Sequence, residues 1–474
     1  MSFLRLPATL TLLFLLASTL ASVGAQQCRL VRPSQDLAPS PDNPFPSSVP
    51  GSGNVTSGSG SGSGSGNGTN TTTTLQPFEY GQAPVRGVNI GGWLVLEPWI
   101  TPSFFNATNN TNVVDEYTLG QLVDRDVALQ MLQNHWETWI TEQDFVDIAA
   151  AGLNHVRIPV GYWSVPITSA DTNYTTSVDP YIPGAWPYLL KALNWAKANG
   201  IHVILDLHGA PGSQNGFDNS GQRTSNPVWG VNPANVSRTL DIITFMAKEV
   251  GGLVDVIELL NEPAGFDGSN WASVISGYWQ DGYQAVRATA GNSIKIMIED
   301  AFLGITSWEN FLTAPNAQGV IMDTHQYQVF NNDQLGYSED EHINFTCTLK
   351  DGYSSYVDNN IWMVMGEWTT AMTDCATWLN GRNVGARWDG SINTGQAFGS
   401  CEGYTGNSST WSSSYKTFMR MFWEAQVDVS EAASGWMYWC WKTESADDWS
   451  YQKGLEGGWI PQDPSDRMYP SICD

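Results

Sequence analysis

The chain has 474 residues, enough for more than one average domain or for a single large (β/α)8 barrel with long loops. Charged residues make up only 14% and the formal net charge is -26, a balance that repels nucleic acid and anionic membranes and suits a neutral partner. Aromatic residues reach 12%, with 22 Trp, so after a core is filled some large rings remain to stack on a ligand.

The first element in chain order is a secretory signal over residues 1–25: Arg5 is followed by an apolar run at 6–20 and by the small residues Val23, Gly24 and Ala25. The run is short for a membrane span, no later one reaches that length, and 469–474 lacks the hydrophobic tail of a lipid-anchor signal, so no membrane partner is expected. Residues 26–77 turn Pro-rich, then Ser-Gly-repetitive, then Thr-rich, a composition that cannot bury enough apolar surface to order itself. It is predicted to be a disordered, glycosylated linker. Nine Asn-x-Ser/Thr acceptors (Asn54, Asn67, Asn70, Asn106, Asn109, Asn173, Asn235, Asn344, Asn407) agree with secretion. The six cysteines allow more pairings than sequence alone selects among. The expectation is Cys347 with Cys473 and Cys375 with Cys401, with Cys440 a buried free thiol inside a strand.

The third segment, 78–474, carries the periodic signal. Apolar or β-branched runs at 85–90, 155–160, 202–207, 256–260, 294–299, 320–324, 362–366 and 435–441 alternate with helical patterns such as 142–151, 188–199 and 237–250. Gly152, Gly200 and Gly251 stand where helices should end. Eight strands separated by helices predict an α/β fold, a closed (β/α)8 TIM barrel with long loops on its C-terminal face. At the C-terminal ends of the runs stand Asn89, Arg157, His208, Asn261-Glu262, Asp300, His325, Glu367 and Trp441. In this architecture chemistry gathers on that face. His155 and His202 begin strands and are expected to pack at the opposite end.

Cleaving a glycosidic bond needs two carboxyl groups, one protonated to assist the leaving group and one ionised to attack or to activate water. Glu262, in Leu259-Leu260-Asn261-Glu262-Pro263, and Glu367, in Met365-Gly366-Glu367-Trp368, would face each other across the barrel mouth. A lone Glu after a strand is as readily a solvated helix start; two of them after different strands make a catalytic pair. There is no His-Glu-x-x-His and no paired-Cys motif, so no metal and no cofactor is expected.

These segments resemble glycoside hydrolase family 5, and within it the fungal exo-β-1,3-glucanase subfamily, over residues 78–474. The likeness lies in Arg86-Gly87-Val88-Asn89-Ile90-Gly91-Gly92-Trp93-Leu94-Val95-Leu96-Glu97-Pro98-Trp99, in His208-Gly209-Ala210-Pro211-Gly212-Ser213-Gln214-Asn215-Gly216-Phe217-Asp218, in Gly366-Glu367-Trp368-Thr369, and in Gly435-Trp436 with 439–444. The resemblance implies a configuration-retaining double displacement, with Glu262 as acid/base and Glu367 as nucleophile. Arg157 and Tyr327 would keep Glu367 ionised, and Glu262 would need a raised pKa. Asn261 would bond the 2-hydroxyl of the sugar, and His208 and His325 would position hydroxyls and carboxylates. Trp441 is implied as the aromatic floor and Glu97 as the carboxylate that binds the terminal sugar. Phe217 and Phe330 are implied as a clamp on the next sugar, with core packing as their alternative, and Asp218 and Asn219 as polar groups beside it. Cys440 departs from the subfamily, which often has Ser, Thr or Asn there.

The resulting expectation is a secreted, monomeric glucan exo-1,3-β-glucosidase acting on β-glucan polysaccharide or oligosaccharide. Exo action requires loops such as 101–113 and 209–232 to close one end of the cleft, and it rests on the resemblance. A β-1,6-glucanase or a broad β-glucosidase is the alternative among enzymes. A non-catalytic glucan-binding wall protein is the alternative of another class, and such proteins normally lose a catalytic carboxylate.

Overall fold

The computed structural model describes residues 75–392 and 396–474. The signal at 1–25, the linker through residue 74, Cys28 and the acceptors Asn54, Asn67 and Asn70 lie outside the described residues. Eight strands pair in sequence order and close: β1 (Val85–Asn89), β2 (His155–Gly161), β3 (His202–Gly209), β4 (Val256–Glu258), β5 (Lys295–Glu299), β6 (Val320–Gln326), β7 (Trp362–Trp368) and β8 (Gly435–Tyr438). Every pairing is parallel, including the seam where Val85 of β1 meets Gly435 of β8. Gly435 has φ +118°, and a Cβ there would run into the Val85 backbone, so only glycine lets the barrel close at this point.

Successive side chains along each strand alternate between the barrel interior and the surrounding helices. The lower interior is an apolar plug of Val85, Ile204, Val256, Met297, Ile321, Val364 and Met437. Two residues further along their strands, the inward positions become Asp206, Glu258, Glu299 and Asp323, all buried, and Arg157 is buried among them. The outward faces pack against amphipathic helices such as Trp186–Ala198, Pro233–Val250, Trp271–Ala290 and Ser413–Glu431, which make the main core. Beneath the plug His155 shares a 2.9 Å hydrogen bond with the Tyr80 hydroxyl, and His202 donates to Asp255 at 2.8 Å. Phe78 packs edge-on against both imidazoles, so the two histidines do pack at the far end.

Three expectations change. β4 ends at Glu258 and β8 at Tyr438, earlier than the apolar runs suggest, because the chain bends away to build the mouth. Cys440 therefore follows its strand rather than lying inside it; it is a buried free thiol, and the disulfides are Cys347–Cys473 and Cys375–Cys401, as expected. Arg157 is the third residue of β2 rather than its end, and it points inward below the rim. Among the described residues no helix is long and apolar enough to cross a membrane.

The segment after β1 is held by Glu116, on helix Glu116–Leu122, whose carboxylate accepts from Leu96 N at 2.9 Å and from Trp163 Nε1 at 3.0 Å. Burial pushes Glu116 up to about 8, and burial likewise moves Glu258 up to about 8 and Asp448 up to about 7. Such groups keep their protons in the folded chain at pH values where the unfolded chain has lost them. The folded state then binds more protons, so their stabilising share is complete below the unfolded pKa of about 4 and is lost as pH rises through the folded values. The thermal midpoint should fall steadily from about pH 5 to about pH 8, and Glu116→Gln should flatten part of that decline. A midpoint that rises over this interval would contradict the assignment.

Candidate active site

Glu262 stands four residues beyond the end of β4 with φ +44°, a left-handed backbone that turns its side chain over the mouth. Glu367 lies near the end of β7 and enters from across the barrel. One carboxylate oxygen of each, together with a ring nitrogen of His325, lie within 4.8 Å of one another. Glu262 accepts from His325 Nδ1 at 2.8 Å and from Asn219 Nδ2 at 3.0 Å. Glu367 accepts from Arg157 Nη1 at 3.0 Å and from the Tyr327 hydroxyl at 2.8 Å. Glu262, His325 and Glu367 form the one group among the described residues with the spacing of metal ligands, and each already carries hydrogen bonds.

The charges are distributed otherwise than expected. Burial acts most strongly on Glu367 and, with the Glu262 charge, pushes it up to about 7 against the pull of His325 and Arg157. Burial also raises Glu262, but the hydrogen bonds from His325 and Asn219 outweigh it and hold the group below the usual carboxylate range. The shift of Glu262 thus runs opposite to the expected rise. The cause is His325: burial opposes its charge, yet Glu367 and Asp323 hold the imidazole protonated well above its ordinary value. A proton therefore sits on His325, 2.8 Å from Glu262. Such a set titrates as a unit.

Most of the other expected residues surround this pair. His208 Nδ1 donates to Asp206 at 2.6 Å, and burial lowers its pKa to about 3, so the ring is neutral. His208 Nε2 and Asn261 Nδ2 are buried without partners among the described residues, and Asn261 Oδ1 accepts from Arg157 Nη2 at 2.7 Å. Glu97 accepts from Trp99 Nε1 at 2.9 Å, and burial, then the Asp218 charge, raises it far above the carboxylate range. Asp218 is itself pushed up to about 7 by burial. Phe217 packs edge-on against Phe302, while Phe330 lies against Tyr327 and Trp449, so the two rings stand on different supports, both half-buried. Asp300 braces the rim instead, accepting from Thr324 Oγ1 at 2.7 Å.

Trp441 is a correction. Its indole N–H is bonded to Asp144 Oδ1 at 2.9 Å on helix Glu142–Ala150, and its ring stacks on Tyr451, so it is sealed into the packing behind the mouth. Trp439 takes the inward position, two residues beyond the inward Met437, and stacks on His208 at 5.7 Å with the planes 10° apart. The period-two alternation from Met437 singles out Trp439 as the inward indole, two residues before the Trp441 of the matching motif. Glu258, Asp206 and Asp323 were also missed, because acidic residues inside an apolar run carry no separate signal. Glu258 takes Arg157 Nε at 2.6 Å and Nη2 at 2.9 Å, and Asp323 Oδ1 accepts from Gly366 N at 2.8 Å.

Two carboxylates this close at the mouth of a closed (β/α)8 barrel, one held by a guanidinium and a phenol and the other by an imidazole, define a glycoside hydrolase. The sequence model of the family described as Cellulase (glycosyl hydrolase family 5) matches residues 122–389, and the chain belongs to that family. It is 44% identical over 404 residues to a glucan 1,3-beta-glucosidase of Blumeria graminis, covering 84% of this chain and 91% of that protein. A glucan 1,3-beta-glucosidase of Schwanniomyces occidentalis is 42% identical over 406 residues, covering 84% and 92%. Among solved structures, a rutinosidase from Aspergillus niger aligns with a TM-score of 0.63 at 19% identity, over 81% of this chain and 100% of that one, a likeness of fold.

A hydrogen bond to a carboxylate favours its ionised form and contributes about 1.5–3 kcal/mol. Removing the Tyr327 donor by Tyr327→Phe should raise the pKa of Glu367, so the acid limb of the kcat/KM profile should move to higher pH and the plateau should drop about 10- to 100-fold. An unmoved acid limb would separate Tyr327 from the ionisation of Glu367.

Proposed function

We propose that this enzyme is a secreted, retaining glucan exo-1,3-β-glucosidase that releases glucose from the non-reducing ends of β-1,3-glucan. The observation that carries the mechanism is the approach of Glu262 and Glu367 to within 4.8 Å. Oxygens this close favour the retaining arrangement, in which the carboxyl groups stand about 5–5.5 Å apart, over the inverting one, in which they stand about 6.5–9.5 Å apart to admit a water.

In the first step Glu367 attacks the anomeric carbon while Glu262 protonates the departing glycosidic oxygen, leaving a glycosyl ester on Glu367. The proton on His325 passes to Glu262 along their 2.8 Å hydrogen bond as the sugar displaces water. In the second step Glu262 takes a proton from the incoming water, whose oxygen bonds to the anomeric carbon as Glu367 departs. A sugar hydroxyl in place of that water gives transglycosylation. Arg157 and Tyr327 favour the Glu367 anion that the attack requires, Asn261 Nδ2 is placed for the 2-hydroxyl, His208 and Glu97 take further hydroxyls, and Trp439 is the aromatic wall. Phe217 and Phe330 flank the next sugar, with Asp218 near Glu97 and Asn219 on Glu262.

The 1,3 linkage is supported by the names of the two curated relatives. Exo action is supported by bracing between the loops of one half of the mouth. The loop after β1 meets that after β3 through Tyr117 N to Gly221 O at 2.9 Å and that after β8 through Ser103 N to Glu444 Oε2 at 2.8 Å. It meets the loop after β7 through Arg382 Nη1 to Asn110 O at 2.9 Å. Secretion and processing near Gln26 are supported by the signal pattern at 1–25. The working unit is a monomer whose catalytic domain spans 78–474.

Product analysis by NMR on laminarin tests the reading. Wild type should release β-glucose first and as the sole small product, and Glu367→Gln and Glu262→Gln should each lose about 10³-fold or more in kcat. Early α-glucose would overturn retention, mixed oligosaccharides would overturn exo action, and turnover confined to β-1,6-glucan would overturn the linkage.

A further inference from the structure

We infer that Arg382, in the loop after β7, is a specificity-determining positioning residue that bolts the walled half of the mouth shut; the inference rests on the exo reading above. Arg382 is almost fully buried although no carboxylate pairs with it among the described residues. Its Nη1 donates instead to two backbone carbonyls of the loop after β1, Asn110 O at 2.9 Å and Val113 O at 2.5 Å. The guanidinium also lies over the rings of Trp378, in its own loop, and Phe105, in the partner loop, at 5.0 and 5.7 Å. An arginine inserted between aromatic faces and bonded to another loop's carbonyls joins the two segments through one side chain.

Neighbouring contacts extend the bolt to a third loop. Asn383 Nδ2 donates to Thr111 O at 2.9 Å, and Arg223, in the loop after β3, reaches Arg382 O with Nη1 at 3.3 Å while its own N–H donates to Asp115 Oδ2 at 2.6 Å. Gly381 makes the approach possible: it has φ +104°, and a Cβ there would stand 2.7 Å from Arg223 Nη1. β3 and β7 are not neighbours in the barrel; β8, β1 and β2 lie between them. Loops meeting across that arc roof it, and a polysaccharide crossing the site would have to pass through the roof. Arg382 touches neither Glu262 nor Glu367, so its effect is on which substrates fit and not on the bond-breaking step.

The test compares wild type, Arg382→Ala and Arg382→Lys on an aryl β-glucoside and on laminarin whose reducing ends have been reduced, with products sized at low conversion. Arg382→Ala should keep aryl-glucoside kcat/KM within about threefold of wild type. On reduced laminarin it should yield oligosaccharides beside glucose, with Arg382→Lys, which keeps a donor for one carbonyl, between the two. Glucose as the sole product of a folded variant would overturn the inference, as would parallel losses on both substrates with a lowered thermal midpoint, the result for a residue that only stabilises. If Arg382→Ala does not fold, Arg382→Lys decides by the same criteria. Oligosaccharides from wild type itself would instead count against the exo reading.

Discussion

The Arg157 guanidinium lies in a layer of carboxylates inside the barrel, and both ends of the reacting pair are located from it. Nε and Nη2 grip Glu258 at 2.6 and 2.9 Å, Nη2 also reaches Asn261 at 2.7 Å and Asp206 at 3.2 Å, and Nη1 reaches Glu367 at 3.0 Å and Asn89 at 3.1 Å. Because Glu258 and Asn261 belong to one segment and Glu367 to another, one planar cation sets the distance between the strand that leads to Glu262 and the strand that bears Glu367. A bidentate fork does this where an ammonium would not, since its plane fixes direction as well as charge. Removing one partner of such a buried pair typically costs about 3–5 kcal/mol, so the layer is held only as a whole.

Above that layer the backbone is turned into conformations that local sequence does not favour. Glu262 has φ +44°, a left-handed conformation that costs a non-glycine residue about 1–3 kcal/mol and persists only when its surroundings impose it. Gln214 supplies much of that imposition. Its Nε2 donates to His208 O at 2.7 Å and Asn261 O at 3.0 Å, its Oε1 accepts from Ala210 N at 3.0 Å, and its own carbonyl takes Ala264 N at 3.0 Å. The loop after β3 is thereby tied to the bend that presents Glu262, and the same loop carries Asn219 onto the carboxylate itself. The run from His208 to Asp218 thus orders the bend at Glu262 as well as its own loop.

What could be read from residues alone follows from periodicity. The strands and their order were legible because buried parallel strands are short apolar runs spaced by helices, and Glu262, Glu367, His208 and His325 were legible because polar residues end those runs. Strand ends were less so: in 256–260 the apolar residues continue past Glu258 to Leu259 and Leu260, and only the tertiary bend stops β4 at Glu258. The exchange of Trp441 for Trp439 has the same origin, since inside a Trp-rich run composition does not tell which indole faces in and which meets Asp144. Arg382 gave no signal at all, because its partners are backbone carbonyls far away in the chain.

The charge state of the mouth follows from the imbalance of its groups. Glu97, Asp206, Asp218, Glu258, Glu262 and Glu367 outnumber the cations beside them, Arg157, His325 and, next to Asp218, Arg223, and burial raises every one of these carboxyls. Hydrogen bonding decides which remain ionised. Glu262 keeps its negative charge because His325 and Asn219 donate to it, so the imidazole holds the proton that the proposed mechanism delivers to the leaving group. A neutral sugar adds no charge of its own, but it excludes water and, at the transition state, places partial positive charge on the ring between Glu262 and Glu367. That charge favours an anionic Glu367 and a proton transferred toward the leaving oxygen, the reverse of the resting distribution. Under the proposed mechanism the excess of carboxyls thus stabilises the transition state more than the ground state, which is the condition for catalysis.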